Sequence, residues 1–195
     1  MKTGMENNFF RQANTMAMKQ GVFFGLWWVM GLAAGIGSFS LPLVSLLALF
    51  FFFAAPFLGG VLSYRFKQTC SGIPYTLGQL YLHVVLLYFY AAIWLAAAVY
   101  VYFAFVDNGF FFGAYMDYLH RPEVQAQLSA PAVQAELSQV TAGESLDDVI
   151  AMLAGTPPAV FAANALTSNI LVGFVLALPT ALVVRYIHVT KTNKD

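Results

Sequence analysis

Charge in this 195-residue chain is sorted by position. Eight of its nine Lys and Arg residues fall in residues 1–19, 65–67 and 185–194. Seven of its nine Asp and Glu residues fall in residues 107–148, where Arg121 is the only base. Between those clusters run three stretches without a single charge: 20–64, 68–106 and 149–184. A domain folded in water spreads charge over its surface, so this alternation describes a bilayer and its two sides. Composition agrees, with 9% charged residues where soluble domains carry about 25%.

A hydrocarbon core about 30 Å thick takes roughly 20 apolar helical residues to cross. The first uncharged stretch holds 45 residues and is cut by Gly37-Ser38-Phe39-Ser40-Leu41-Pro42, a turn signal. It therefore predicts a helical hairpin, 20–37 and 41–63. The second stretch predicts a helix over 75–105, and the third, opening after Pro157-Pro158, a helix over 160–185. The expected fold is an all-α polytopic membrane protein, one membrane domain over 1–195. It has four transmembrane helices, a helical acidic extracytoplasmic loop over 107–158 between the third and fourth, and a cytoplasmic tail over 186–195. Residues 8–19 read as an amphipathic lead-in lying at the interface. No cleavage region separates the first apolar helix from the second, so the first is read as a span rather than a signal peptide.

Lys and Arg favour cytoplasmic loops. With four helices, the N-terminus, the 65–70 turn and the C-terminus share one side, and those segments carry the bases. This predicts that both termini are cytoplasmic and that the 107–158 loop lies on the other side of the membrane. The single cysteine, Cys70, excludes an internal disulfide and any multi-cysteine metal centre.

The acidic loop carries its own helical spacing: Val124/Leu128, Val133/Leu137/Val140 and Leu146/Val149/Ile150/Leu153. Pro122 and Pro131 suit first helical turns. Thr141-x-x-Glu144 and Ser145-x-x-Asp148 read as helix starts. Phe110-Phe111-Phe112 with Tyr115 and Tyr118 read as an aromatic belt at headgroup depth.

Small residues recur every fourth position: Gly21/Gly25, Gly31/Gly35, Ala55/Gly59/Ser63 and Ala165/Asn169/Gly173/Ala177. Lipid tails supply no hydrophobic drive between helices, so close backbone approach over such residues must hold them together. The stripes predict packing within the bundle first and a homo-oligomer seam second. Polar side chains at membrane depth are few: Gln79, His83 and Tyr90 near one face of the third helix, Asn164 and Asn169 in the fourth. Intramembrane ionisable groups are functional candidates by default. His83, two to three turns from its helix start, is expected within reach of headgroups or water, and Asn164 and Asn169 are expected in interhelical hydrogen bonds. No acid lies in any span, which argues against proton- or cation-coupled transport. Arg65, Lys67, Arg185 and Lys191 suit anionic lipid headgroups, and bases this sparse do not suit nucleic acid. Asp117-x-x-His120 supplies too few ligands for a metal site, and neither a catalytic constellation nor a cofactor motif is present.

Tyr64-Arg65-Phe66-Lys67 is followed by Gly72-Ile73-Pro74-Tyr75-Thr76-Leu77-Gly78-Gln79. A long aromatic helix comes next, and then Asp107 and Tyr115-Met116-Asp117-Tyr118-Leu119. Over residues 19–191 this resembles the bacterial domain-of-unknown-function family 4199, small inner-membrane proteins with four helices and a helical outer loop. The resemblance implies a topology and no catalytic residues. It also implies an accessory role in envelope or lipid glycosylation, with a membrane glycosyltransferase as partner. Two functional readings follow. The first is a non-enzymatic membrane subunit or scaffold; the second is a carrier or flippase for an amphiphilic or lipid-linked substrate working through Gln79, His83 and Tyr90. A membrane enzyme, with only His83, Asp117 and His120 to offer, ranks last.

Overall fold

A computed structural model describes residues 2–69 and 75–187, with side chains from Phe9 onward. Cys70, Lys191 and the Gly72-Ile73-Pro74 motif lie outside the described residues. The elements are α1 (Lys2–Gly37), α2 (Val44–Thr69), α3 (Leu77–Val101, continued by a π-helical turn Tyr102–Val106), α4 (Phe110–Leu119), α5 (Pro122–Leu128), α6 (Pro131–Val140), α7 (Leu146–Ala154) and α8 (Pro158–Tyr186). Four helical stretches are long and apolar enough to cross a membrane: Phe9–Gly37, Val44–Thr69, Leu77–Val106 and Pro158–Tyr186. The chain has the architecture of a multi-pass membrane protein.

These spans differ from the sequence expectation at their ends, each for a local reason. The lead-in is no separate interfacial segment, because nothing breaks the helix at Lys19-Gln20. Instead Ala13 and Ala17, one turn apart, are fully buried. Phe9 packs on Phe66 and Tyr75. These contacts hold the first turns of α1 on the bundle. Likewise Arg65-Phe66-Lys67 belongs to the last turns of α2 rather than to a turn between helices. α3 begins at Leu77 because Thr76 and Gln79 form a capping box: the Thr76 hydroxyl accepts from the Gln79 N–H and the Gln79 carboxamide oxygen from the Thr76 N–H. α8 starts with Pro158 in its first turn, where a missing N–H costs nothing.

α3 is the hub, packing most extensively on α8 and α1, while α2 packs chiefly on α1. α1 and α3 run parallel, with Gly21 against Tyr90 and Gly25 against Trp94. On the other side Gly173 of α8 lies against Tyr88, and Gly59 of α2 faces the same ring. Gly31 lies against Phe51 within the α1–α2 hairpin, and Gly35 has open space above it. Gly21, Gly25, Gly31, Gly59 and Gly173 thus each lie against a neighbouring helix, whereas Gly35 does not.

The bases Arg11, Lys19, Arg65, Lys67 and Arg185 mark one end of the bundle. At the other end four short helices form a cap. Its seat is aromatic: Phe39 of the α1–α2 turn meets Phe111 and Tyr115, and Phe103 stacks on Phe161 at 4.7 Å while also meeting Phe111 and Phe112. Phe111 and Phe112 thus join α4 to the bundle. Asp107, nearly buried, accepts from the Gly109 and Phe111 N–H groups and so starts α4. Ser145 caps α7 through the Asp148 N–H, as its spacing predicts. Thr141-x-x-Glu144 starts no helix. Thr141 ends α6, and Ala142 and Gly143 turn the chain with φ of 54° and 86°.

Candidate functional site

Membrane helices must satisfy polar groups internally, because hydrocarbon offers no partner. Against that requirement the interior of this bundle stands out. Among the described residues, buried side-chain atoms without a hydrogen-bond partner are Gln20 Oε1, Trp28 Nε1, Ser63 Oγ, both ring nitrogens of His83, Tyr88 Oη and Asn169 Oδ1. They are not scattered. The layer nearest the basic end is His83, fully buried, its imidazole stacked on Phe66 at 3.9 Å and lying against the Ala13 backbone without hydrogen-bond geometry. In the next, Gln20 of α1 donates its amide to the Leu62 carbonyl at 3.1 Å, which leaves its oxygen free beside the turn that carries Ser63. One turn further toward the cap, the Tyr88 hydroxyl sits over Gly59, with its ring edge-on to Phe24 at 4.9 Å. Trp28 follows on α1 and Asn169 on α8.

The positions explain the arrangement. Ala13, Ala17, Gln20 and Phe24 recur at helical spacing on the inner face of α1; Gly59, Ser63 and Phe66 do so on α2; His83, Leu87 and Tyr88 do so on α3. Each face reads as a packing stripe interrupted by one or two polar residues, and the helices bring those interruptions together inside the bundle. The result is a run of hydroxyl, carboxamide, imidazole and indole groups with free donors and acceptors and no charge. It can hydrogen-bond an uncharged polar group or water. An unmatched buried group costs about 1–3 kcal/mol, so these six residues suit a site where a ligand or water completes their hydrogen bonds.

The sequence-derived candidates part company here. His83 is central, but it is sealed beneath Phe66 rather than within reach of headgroups. Gln79 is spent on the α3 cap. Tyr90 donates to Asn14 Oδ1 at 2.8 Å and ties α1 to α3. The three therefore do not form one constellation. Asn169 is buried with its oxygen unpaired instead of bridging helices, and Asn164 is exposed. Gln20, Trp28, Ser63 and Tyr88 are the members that sequence reasoning passed over. Their signal was faint: Ser63 lay in a small-residue stripe, and Gln20 sat at the edge of an uncharged stretch.

Beside this interior, α2 and α8 line an apolar furrow. Pro56 and Pro179 lie inside these helices. The furrow's basic-end half, about 600 Å³, is lined by Pro56, Phe57, Gly60, Tyr64, Pro179 and Val183 among others. Its cap-end half, about 420 Å³, shares Pro56 and Leu176 with the first and reaches Trp28. The furrow is tied at its basic end, where the Lys67 ammonium donates to the carbonyls of Val184, Arg185 and Ile187 at 2.8–3.0 Å. That bonding uses all three ammonium N–H groups, so Lys67 holds the α8 C-terminus rather than facing headgroups. Arg65 and Arg185 remain exposed.

In the cap, Asp117 and His120 do not pair. His120 instead meets Asp147 of α7 at 3.2 Å, with both side chains about half exposed. This contact joins α4 to α7.

The model of the family DUF4199, described as a protein of unknown function, matches residues 16–186. The chain belongs to this family. The DUF4199 match takes in most of the first span, the other three and the whole cap, so the orphaned interior groups and the aromatic seat lie within the family's extent. No curated protein and no solved structure matches the chain.

Proposed function

We propose that this DUF4199 protein is a non-enzymatic carrier for an amphiphilic substrate. It sits in the bacterial inner membrane with both termini cytoplasmic and the acidic cap outside. The observation that carries this reading is the run of buried groups left without complete hydrogen bonding, Gln20, Ser63, His83 and Tyr88. A purely structural bundle gains nothing from uncompensated polar atoms in hydrocarbon, whereas a carrier needs groups that bind a polar moiety in passing. The adjoining furrow suits the apolar part of such a substrate, and Trp28 borders both. The orientation rests on the basic residues collecting at the end opposite the cap.

The test needs no knowledge of the substrate. A carrier must open its interior to water in at least one state. Ser63→Cys in a Cys70→Ser background is expected to react with N-ethylmaleimide in native membranes well above an Ala91→Cys control. Protection of both alike until denaturation would overturn the carrier.

A second reading, a membrane subunit or scaffold, is favoured by Gly60. It lines the furrow with nothing above it, an opening for the close approach of a partner's helix. Under that reading Ser63→Cys stays protected, while Gly60→Leu releases a co-purifying membrane protein.

A further inference from the structure

A groove at the basic end lies between α1 and α2, with a volume of about 360 Å³, lined by Arg11, Gln12, Thr15, Met16, Lys19, Phe66 and Thr69. Arg11, Thr15 and Lys19 follow one another at four-residue steps, so one side of α1 presents a guanidinium, a hydroxyl and an ammonium to the same opening. The Thr69 hydroxyl is already donated to the Arg65 carbonyl at 2.9 Å, and the groove's charged donors, Arg11 and Lys19, both come from α1. Among the described side chains every Asp and Glu lies within residues 107–148, and neither Arg11 nor Lys19 makes an ion pair. Two cations facing one groove, with no counter-charge among the described side chains, form an anion site.

Depth says which anion. From Gly37 back to Lys19 the helix covers about 27 Å, close to the full thickness of a hydrocarbon core of about 30 Å. Lys19 therefore falls at the hydrocarbon edge and Arg11 about 12 Å beyond it. Between them lies the headgroup layer, where lipid phosphates reside. We infer that this groove binds one phosphate-bearing lipid headgroup, Arg11 engaging the phosphate by paired N–H donors and Lys19 contributing a point charge from the membrane side. The floor of the groove is Phe66, the ring stacked on His83, so an occupied site sits one aromatic ring away from the orphaned interior. The inference does not depend on transport, because equilibrium binding reads it.

The full chain, delipidated in a neutral detergent, is titrated with dihexanoyl phosphatidylglycerol, and bound lipid is counted by native mass spectrometry. The expected result is one saturable site, weakened about tenfold or more in Arg11→Gln/Lys19→Gln and little changed in Arg65→Gln, with both variants eluting as folded protein. Retained Arg11→Lys binding at intermediate strength would mark loss of the paired donors alone. Equal affinity in wild type and the double variant overturns the site. Equal loss in Arg65→Gln also overturns it, by showing diffuse attraction to the basic end. Displacement of the lipid by glycerol 1-phosphate at comparable concentration would assign the groove to a soluble phosphate ester and overturn the lipid source.

Discussion

The ring of Phe66 lies flat on the imidazole of His83, 3.9 Å between centroids and 11° between planes. That one contact separates the basic groove from the unpartnered polar interior, and it joins the last turns of α2 to the first turns of α3. Replacing Phe66 by Ala is expected to destabilise the bundle by about 3–5 kcal/mol, as for other buried aromatics. Phe66→Leu, which keeps volume, should cost less. Thermal unfolding in detergent measures both. If Phe66 seals the interior, Phe66→Leu also raises maleimide labelling of Ser63→Cys, and unchanged labelling would show the seal lies elsewhere.

Tyr88→Phe and Ser63→Ala each delete an orphaned oxygen at almost constant volume. If these oxygens have no partner, removal relieves a penalty of about 1–3 kcal/mol, and the melting temperature rises. A fall in melting temperature would mean that water or a bound molecule completes their hydrogen bonds.

Close helix contact predicts a sharp split among the glycines. A methyl group at Gly25 would meet Trp94 Cβ at 2.5 Å, and one at Gly173 would collide with Tyr88 Cβ. Either Ala substitution pushes helices apart from α3 and should cost about 1–3 kcal/mol. Gly35 and Gly60 have open space above them, so their Ala variants should unfold at or slightly above the wild-type temperature, since Ala is the better helix former. Comparable losses at all four positions would refute the packing argument.

Topology has a direct measurement because Cys70 is the single thiol. It should resist a membrane-impermeant maleimide added outside intact spheroplasts and react after lysis. Labelling from outside would reverse the orientation and place the acidic cap in the cytoplasm.

Loss of Lys67 should loosen α8 where α2 holds it. Lys67→Met removes three hydrogen bonds to the α8 end and is expected to lower stability by about 1–3 kcal/mol. Lys67→Arg should recover part of this. Differential scanning fluorimetry in detergent separates the two.

Four spans, their order, the helical segment between the third and fourth, and the packing of Gly21, Gly25 and Gly31, though not Gly35, were legible in residue order alone. Hydropathy and charge depend on the chain's exchange with lipid and water, and small-residue spacing depends on helix geometry; neither needs a neighbour to be known. Helix ends were less legible. Thr76 with Gln79 and Thr141 with Glu144 offer similar local chemistry, yet the first opens a helix and the second lies in a left-handed turn. What only the tertiary structure decided is which polar groups find partners. Gln79 and Tyr90 looked like companions of His83 but are satisfied by Thr76 and Asn14, while Gln20, Ser63 and Tyr88, none of them a polar-site candidate in the sequence, are left without complete partners. Hydrogen-bond satisfaction is a relation between helices, and a single helix's sequence carries no record of what faces it.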